Sequence, residues 1–295
     1  MYHAKKRGRN RFFWFEAQME SELRFRNELE SGLRRGIPAG EFVPYYEQQV
    51  DLQTGELVGF EMLARWNSPQ FGLVSPEVFI PSAEEIDVIG ELSENLIRQA
   101  LADAREWDHT LTLSVNISPI QLRDPWFAQK LLRMLFDAQF PPNRFEVEIT
   151  ESCLHENVAA VRAIITSLKN QGIRVSLDDF GTGYSSLSQL RSLPFDRLKI
   201  DRSFVNEISA EGAPSELVEA IVSLGRGLSL PVTAEGVETA AILQALRTIG
   251  PLKGQGYLYG RPEDAAATRD RLAGLKLLAG SKAAEVDPAA HRKAG

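Results

Sequence analysis

The sequence predicts an α/β protein, a closed (β/α)8 barrel whose first strand runs antiparallel to its neighbour. Three observations predict it. Five strand-like runs at 113–116, 147–149, 175–179, 198–201 and 232–235 set acids, an amide or an amine among apolar residues. Helical patterns separate these runs, and strands alternating with helices build a parallel sheet. Ahead of them, the tight turn Thr54-Gly55 joins strand patterns at 42–52 and 57–66, which makes that pair antiparallel neighbours.

The chain opens on the basic run Lys5-Lys6-Arg7-Gly8-Arg9-Asn10-Arg11 and the aromatic cluster Phe12-Phe13-Trp14-Phe15. Residues 16–35 pattern as a charged amphipathic helix with Met19, Leu23 and Leu29 on its apolar side. The two early strands follow, then helical segments over 76–107. Further helices are expected at 126–139, 158–171, 185–192, 215–228 and 239–249, with a last strand at 254–259. The tail beyond 279, rich in Ala, Lys and Asp, is expected to fray. A barrel of this type takes about 250 residues, and the division expected here is 1–20, a helix at 21–40, a barrel at 41–275 and a tail at 276–295.

Composition narrows the function. Of 295 residues, 43% are hydrophobic and 25% charged, as in an ordinary globular protein. The net charge of −7 argues against broad DNA binding, while a small anion could still be held by metal and local cations. No apolar run approaches the ~18 residues of a membrane span. The single cysteine, Cys153, excludes an intrachain disulfide and fits a reducing cytoplasm; it is expected to be a buried thiol.

The chemistry lies on the polar strand positions. Side chains alternate faces along a strand, and barrel sites form at the C-terminal ends of strands. Asn116, Glu148, Asp178, Asp179 and Glu235 would then ring a hard-oxygen cage, with Lys199 beside it. Carboxylates and an amide, without His or Cys, select Mg²⁺ or Mn²⁺ over zinc. The adjacent pair Asp178-Asp179 suggests two ions, and two ions about 3.5–4 Å apart serve phosphodiester cleavage. Lys199 can hold the attacking water or neutralise charge on phosphorus. Glu61, Leu63 and Arg65 share one strand face, so Glu61 can join the cage and Arg65 can hold a phosphate oxygen. The glycine-rich loop at 180–186 reads either as a phosphate cradle or as a loop that positions the aspartates. Glu151 reads either as a helix cap or as a tether for that loop.

Seven motifs in order resemble those of the EAL domain family: Glu61-x-Leu63-x-Arg65, Asn116-Ile117-Ser118, Glu148-Ile149-Thr150-Glu151, Asp178-Asp179-Phe180-Gly181-Thr182-Gly183, Leu198-Lys199-Ile200-Asp201, Ala234-Glu235-Gly236-Val237-Glu238 and Gln255-Gly256-Tyr257. The resemblance runs over about 41–262. It implies a TIM-like barrel with an antiparallel first strand, and hydrolysis of cyclic di-GMP to linear pGpG with Mg²⁺ or Mn²⁺, two ions being expected. It implies metal ligation by Glu61, Asn116, Glu148, Asp178 and Asp179, with Glu235 completing the shell or serving as base and Lys199 positioning water. Arg65, Leu63, Gln255 and Asp201 would contact substrate; Glu151, Glu238, Gly181 and Gly183 would support the loop. A homodimer is expected. Residues 2–12 resemble the end of a GGDEF (diguanylate cyclase) domain, so a GGDEF partner is expected in the parent protein.

Three positions depart from the family pattern. Met62 replaces Ala on the face away from the acids. Glu47 stands where Gln is usual and is expected to weaken anion binding by repulsion. Gly250-Pro251-Leu252 lacks the usual Cys-Asp. The rival readings are an inactive EAL module that binds the dinucleotide, an unrelated metal-dependent barrel enzyme such as an aldolase, and a dimerisation scaffold.

Overall fold

The computed structural model describes residues 17–155, 158–182, 187–208 and 215–281. Eight strands close a ring in the order β1 (Phe42–Asp51), β2 (Leu57–Ser68), β4 (Thr112–Asn116), β5 (Phe145–Thr150), β6 (Arg174–Phe180), β7 (Arg197–Ile200), β8 (Val232–Ala234) and β9 (Lys253–Gly254). β1 runs antiparallel to both β2 and β9, and every other ring pairing is parallel. β3 (Gly72–Val74) pairs only with the end of β2, outside the ring. The mixed α/β barrel expected from the alternating pattern is thus present.

Alternation on the strands explains both layers of the barrel. Leu113, Val115, Val147, Ile149, Val175, Leu177, Leu198 and Ile200 are buried in the apolar core. Their odd-even neighbours Ser114, Glu146, Glu148, Ser176, Lys199 and Thr233 are equally buried but polar. These polar residues point into the lumen, because Lys199 on β7 reaches Glu61 on β2, diametrically opposite in the ring. The helices lie outside: α2 (Pro76–Glu85), α3 (Ile89–Ala104), α4 (Phe127–Asp137), α5 (Val158–Asn170), α6 (Leu187–Ser192), α7 (Arg202–Val205), α8 (Glu216–Gly227), α9 (Ala240–Ile249) and α10 (Ala265–Gly274).

The N-terminal helix α1 (Ala17–Ala39) is longer than the 16–35 pattern suggested. Its buried stripe is Leu29, Leu33 and Ile37, while Leu23 is exposed, so the apolar face lies toward the C-terminal half. The expected remnant at 1–20 falls mostly outside the described residues. The strand expected at 254–259 ends at Gly254, because Gly256 and Gly260 have positive φ and turn the chain. Two short elements, β3 and α7, and the last helix α10 carried no clear pattern in the sequence. Cys153 is a buried thiol, as expected. Among the described residues, no helix is long and apolar enough to cross a membrane.

The lower lumen is charged as well. Arg197 Nε lies 3.3 Å from Glu146 Oε1, and burial, followed by the charge of Arg197, pushes the Lys253 ammonium down to about 8 from 10.5. At neutral pH Lys253 is protonated in both folded and unfolded chains, so the folded state bears the full penalty. The penalty is relieved as pH rises from about 8 to 10.5, where only the folded state has released its proton. Lys253→Met is therefore expected to stabilise the chain at pH 7 by on the order of 2 kcal/mol. Urea melts across pH 7–10.5 check this: the wild type gains stability over that range, and the variant lacks that gain.

Candidate active site

Lys199 stands at the centre of the upper lumen. Its Nζ lies 2.5 Å from Glu148 Oε2, 2.6 Å from Glu235 Oε1, 3.1 Å from Asp178 Oδ2 and 3.3 Å from Glu61 Oε2. The four acids arrive from β5, the residue after β8, β6 and β2. Burial opposes the charge on Lys199, but Asp178, Glu148, Glu235 and Glu61 outweigh it and hold the ammonium well above the usual lysine range. Burial also pushes the Glu148 and Glu235 carboxyls well above the ordinary carboxylate range.

Asparagine and glutamine side chains fix Glu61 from two sides. Asn116 Nδ2 donates to its Oε1 at 2.5 Å, and Gln255 Nε2 donates to its Oε2 at 2.5 Å. Gln255 is held in turn by Gln49 Nε2 at 3.2 Å, which also donates to Ser114 on β4. Gln49 carried no motif in the sequence. The available signal was parity, since it shares the lumen face of β1 with Glu47.

Asp178 and Asp179 meet the same space for a reason that strand parity would forbid. Successive strand residues face opposite ways. Here Asp179 takes a left-handed φ of 54°, and the β6–β7 register slips between Leu177 and Phe180. Carboxylate oxygens of Asp178, Asp179 and Glu235 consequently all lie within 4.8 Å of one another. Burial, then the charge of Asp178, pushes Asp179 up to about 6.

These residues fit divalent cations. The buried Oε1 of Glu148 has no hydrogen-bond partner, although its Oε2 is bound by Lys199. Asn116 uses its amide nitrogen toward Glu61, which leaves its oxygen for a cation. An all-oxygen donor set with surplus negative charge suits Mg²⁺ or Mn²⁺.

The cluster opens into a cleft of about 580 Å³. Glu61, Leu63, Arg65, Asp179, Asp201, Glu235, Glu238 and Gln255, all singled out in the sequence, line it. Arg65 stacks over Tyr45 at 5.4 Å and donates to the Ala64 carbonyl at 2.8 Å. Asp201 caps α7 by accepting from Ser203 N–H at 3.0 Å. Glu47 also faces the cleft, opposite Glu61 in the β1–β2 register; burial and Glu61 push its carboxyl up to about 7. Glu238 is exposed on the wall, and Gly183 lies outside the described residues.

Residues 30–262 match the EAL domain family over most of the chain. The chain belongs to the EAL family. An uncharacterised signalling protein of Caulobacter vibrioides is 41% identical over 262 residues, covering 89% of this chain and 32% of that protein. The bifunctional diguanylate cyclase/cyclic di-GMP phosphodiesterase MucR of Pseudomonas aeruginosa is 37% identical over 266 residues, 89% of this chain and 39% of MucR. The chain spans about a third of the length of the curated relatives it matches. Among solved structures, the MucR phosphodiesterase in complex with c-di-GMP superposes with a TM-score of 0.77 at 36% identity, covering 82% of this chain and 99% of that one. The EAL enzyme Bd1971, with cAMP and cyclic di-GMP bound, gives 0.79 at 30% identity, covering 85% and 70%.

In this EAL domain Glu151 is buried in the short 3₁₀ turn after β5, and its Oε2 accepts the Gly181 backbone N–H at 3.0 Å. Gly181 has φ of 97°, and a Cβ there would sit 2.9 Å from the Phe204 ring. Among the described residues, the loop after Asp179 thus has a tight passage at Gly181 and a side-chain anchor in Glu151. Glu151→Ala is expected to lower turnover more than tenfold, because a small misplacement at a preorganised site is costly. Its apparent requirement for Mg²⁺ should shift upward with little change in melting temperature. A Mg²⁺ titration of turnover beside a thermal melt checks this; a lower melting temperature with unchanged turnover would mark Glu151 as structural only.

Proposed function

We propose that this EAL domain hydrolyses cyclic di-GMP to linear 5′-pGpG. The observation that carries the reading is the acid cage around Lys199, with Asp178, Asp179 and Glu235 converging beside a cleft large enough for a nucleotide. The resemblance to MucR, whose name includes this activity, supports it. Glu61, Asn116, Glu148, Asp178 and Asp179 would hold two Mg²⁺ or Mn²⁺ ions, with Glu235 completing the shell. Bound there, the ions would polarise water and offset phosphate charge. Glu235 accepts the proton of the attacking water, whose oxygen bonds to phosphorus as the P–O3′ bond breaks. The departing O3′ takes a proton from solvent water, so the products are a 5′-phosphate and a free 3′-hydroxyl. Lys199, already hydrogen-bonded to Glu235, orients that water. Arg65 neutralises a phosphate oxygen, Leu63 and Asp201 bound the ligand, and Gln255 keeps Glu61 in place.

The same reading takes the parent protein as cytoplasmic and homodimeric, with a GGDEF domain ahead of this one. The alternative is an inactive domain that binds cyclic di-GMP; Glu47, whose carboxyl faces the cleft, lowers affinity for the anion in either reading. Incubation with cyclic di-GMP and Mg²⁺, followed by chromatography, separates the two. Formation of pGpG supports hydrolysis, and retention of intact ligand on the protein without product supports the alternative.

A further inference from the structure

The amide of Gln255 can hold Glu61 only one way round. Its Nε2 donates to Glu61 Oε2 at 2.5 Å, and a carboxylate accepts but never donates. The terminal torsion of a glutamine is broad and roughly two-fold, so nothing within Gln255 turns nitrogen rather than oxygen toward Glu61. Its neighbours must do so. Glu61 selects from one side and Gln49 from the other. Gln49 Nε2 donates to Gln255 Oε1 at 3.2 Å, and a flipped Gln255 would set nitrogen against nitrogen there. The same Gln49 nitrogen donates to Ser114 Oγ at 3.4 Å, so both of its hydrogens are engaged and the Gln49 amide is itself fixed. Gln49, Gln255 and Ser114 are all buried. The two glutamines meet because the barrel closes through β1 and β9: Val50 pairs with Gly254, and Gln49 and Gln255 lie one step on from that antiparallel pair.

We propose that Gln49 is a positioning residue for the metal cage: by donating to Gln255 it keeps that amide aimed at Glu61, and so keeps Glu61 free to ligate a cation. The inference rests on the reading of Glu61 as a metal ligand. Lys199 Nζ lies 3.3 Å from the same Glu61 Oε2, a long contact that an unrestrained carboxylate would close. Gln255 holds Glu61 back from that ion pair. Without the Gln49 donor, Gln255 Oε1 is left buried and unpaired, which is costly enough to turn the amide toward another donor. Glu61 then keeps Asn116 on Oε1, while its Oε2 is left to Lys199 and is drawn away from the cation. Hydrogen bonds in a chain also polarise one another, so the Gln49 donor strengthens the bond that Gln255 makes to Glu61.

The test uses the whole chain as wild type, Q49M, Q255M and the double variant Q49M/Q255M. Mn²⁺ affinity is measured by calorimetry without substrate, and turnover of cyclic di-GMP is titrated against Mg²⁺. Met matches Gln in length and bulk but donates nothing, so a thermal melt should show a folded chain. If it does not, Q49N, whose donor is drawn back by one carbon, takes its place with the same expected loss. Q49M is expected to raise the Kd for Mn²⁺ by about tenfold, as partners of metal ligands do. The Mg²⁺ requirement of turnover should rise by a like factor, with kcat at saturating Mg²⁺ changing far less. Because Gln49 acts through Gln255, the double variant should match Q255M in Mn²⁺ affinity to within about twofold. A Q49M Kd within about threefold of wild type, or losses that add in the double variant, would overturn the inference. A wild-type chain that binds Mn²⁺ but leaves cyclic di-GMP intact removes only the hydrolytic reading, and the Mn²⁺ comparison still decides on Gln49. A wild-type chain that binds no Mn²⁺ overturns both.

Discussion

Glu61→Ala and Glu235→Ala are each expected to lower turnover on cyclic di-GMP by about a hundredfold or more, the scale seen when one preorganised charge is removed from a site. The two losses differ in mechanism. Glu61 is gripped by Asn116, Gln255 and Lys199, so its carboxylate is a fixed part of the cage. Removing it weakens cation binding and frees both amides to drift. Glu235 is partly exposed toward the cleft and touches Lys199 at 2.6 Å. Its loss would remove the proposed proton acceptor and leave most of the proposed cation ligands in place. Either variant still leaves Lys199 three carboxylates, so no buried ammonium is stranded and the fold is expected to survive. Metal titration by calorimetry, kcat at saturating Mg²⁺ and a thermal melt separate the cases. Near-wild-type turnover in either variant would remove that residue from the mechanism.

Strand parity made much of this site legible. Asn116 and Glu148 sit opposite each other in the β4–β5 register, as two residues on the same face should. Lys199 and Glu61 fall on lumen positions of strands facing each other across the ring, and the alternation of apolar and polar residues announced both. What parity could not announce was the joint presence of Asp178 and Asp179. That depends on one left-handed backbone angle and a slipped register, which no side-chain pattern encodes. The helix α1 misled in another way. Leu23 and Leu29 fit one apolar stripe in the sequence, yet which turns are covered is decided by tertiary contact, as where Gly32 of α1 lies against the ring of Trp66 on β2. Gln49 was invisible because a lone glutamine on a strand has no signature until its partners, Gln255 and Ser114, are brought across the lumen.

Chelation is expected to abolish turnover and leave the fold standing. The cage sets five carboxylates, those of Glu61, Glu148, Asp178, Asp179 and Glu235, around one ammonium. That surplus of negative charge favours divalent ions, and on the proposed reading Arg65 alone cannot replace their charge at the phosphate. Lys199 nevertheless stays bound to four carboxylates, so the buried acids keep a counter-charge and the barrel keeps its apolar outer layer. Removing the ions should therefore lower the melting temperature by only the linkage expected for a ligand leaving the native state. Excess EDTA, verified by elemental analysis, should bring turnover to background; Mg²⁺ or Mn²⁺ should restore it. Ca²⁺ should bind and raise the melting temperature while leaving turnover at background, because its longer and more variable coordination fails to fix the attacking water. Full turnover in the metal-free protein would overturn metal-assisted hydrolysis outright. Unfolding on chelation would show instead that Lys199 cannot hold the cage alone, and that the ions are part of the fold.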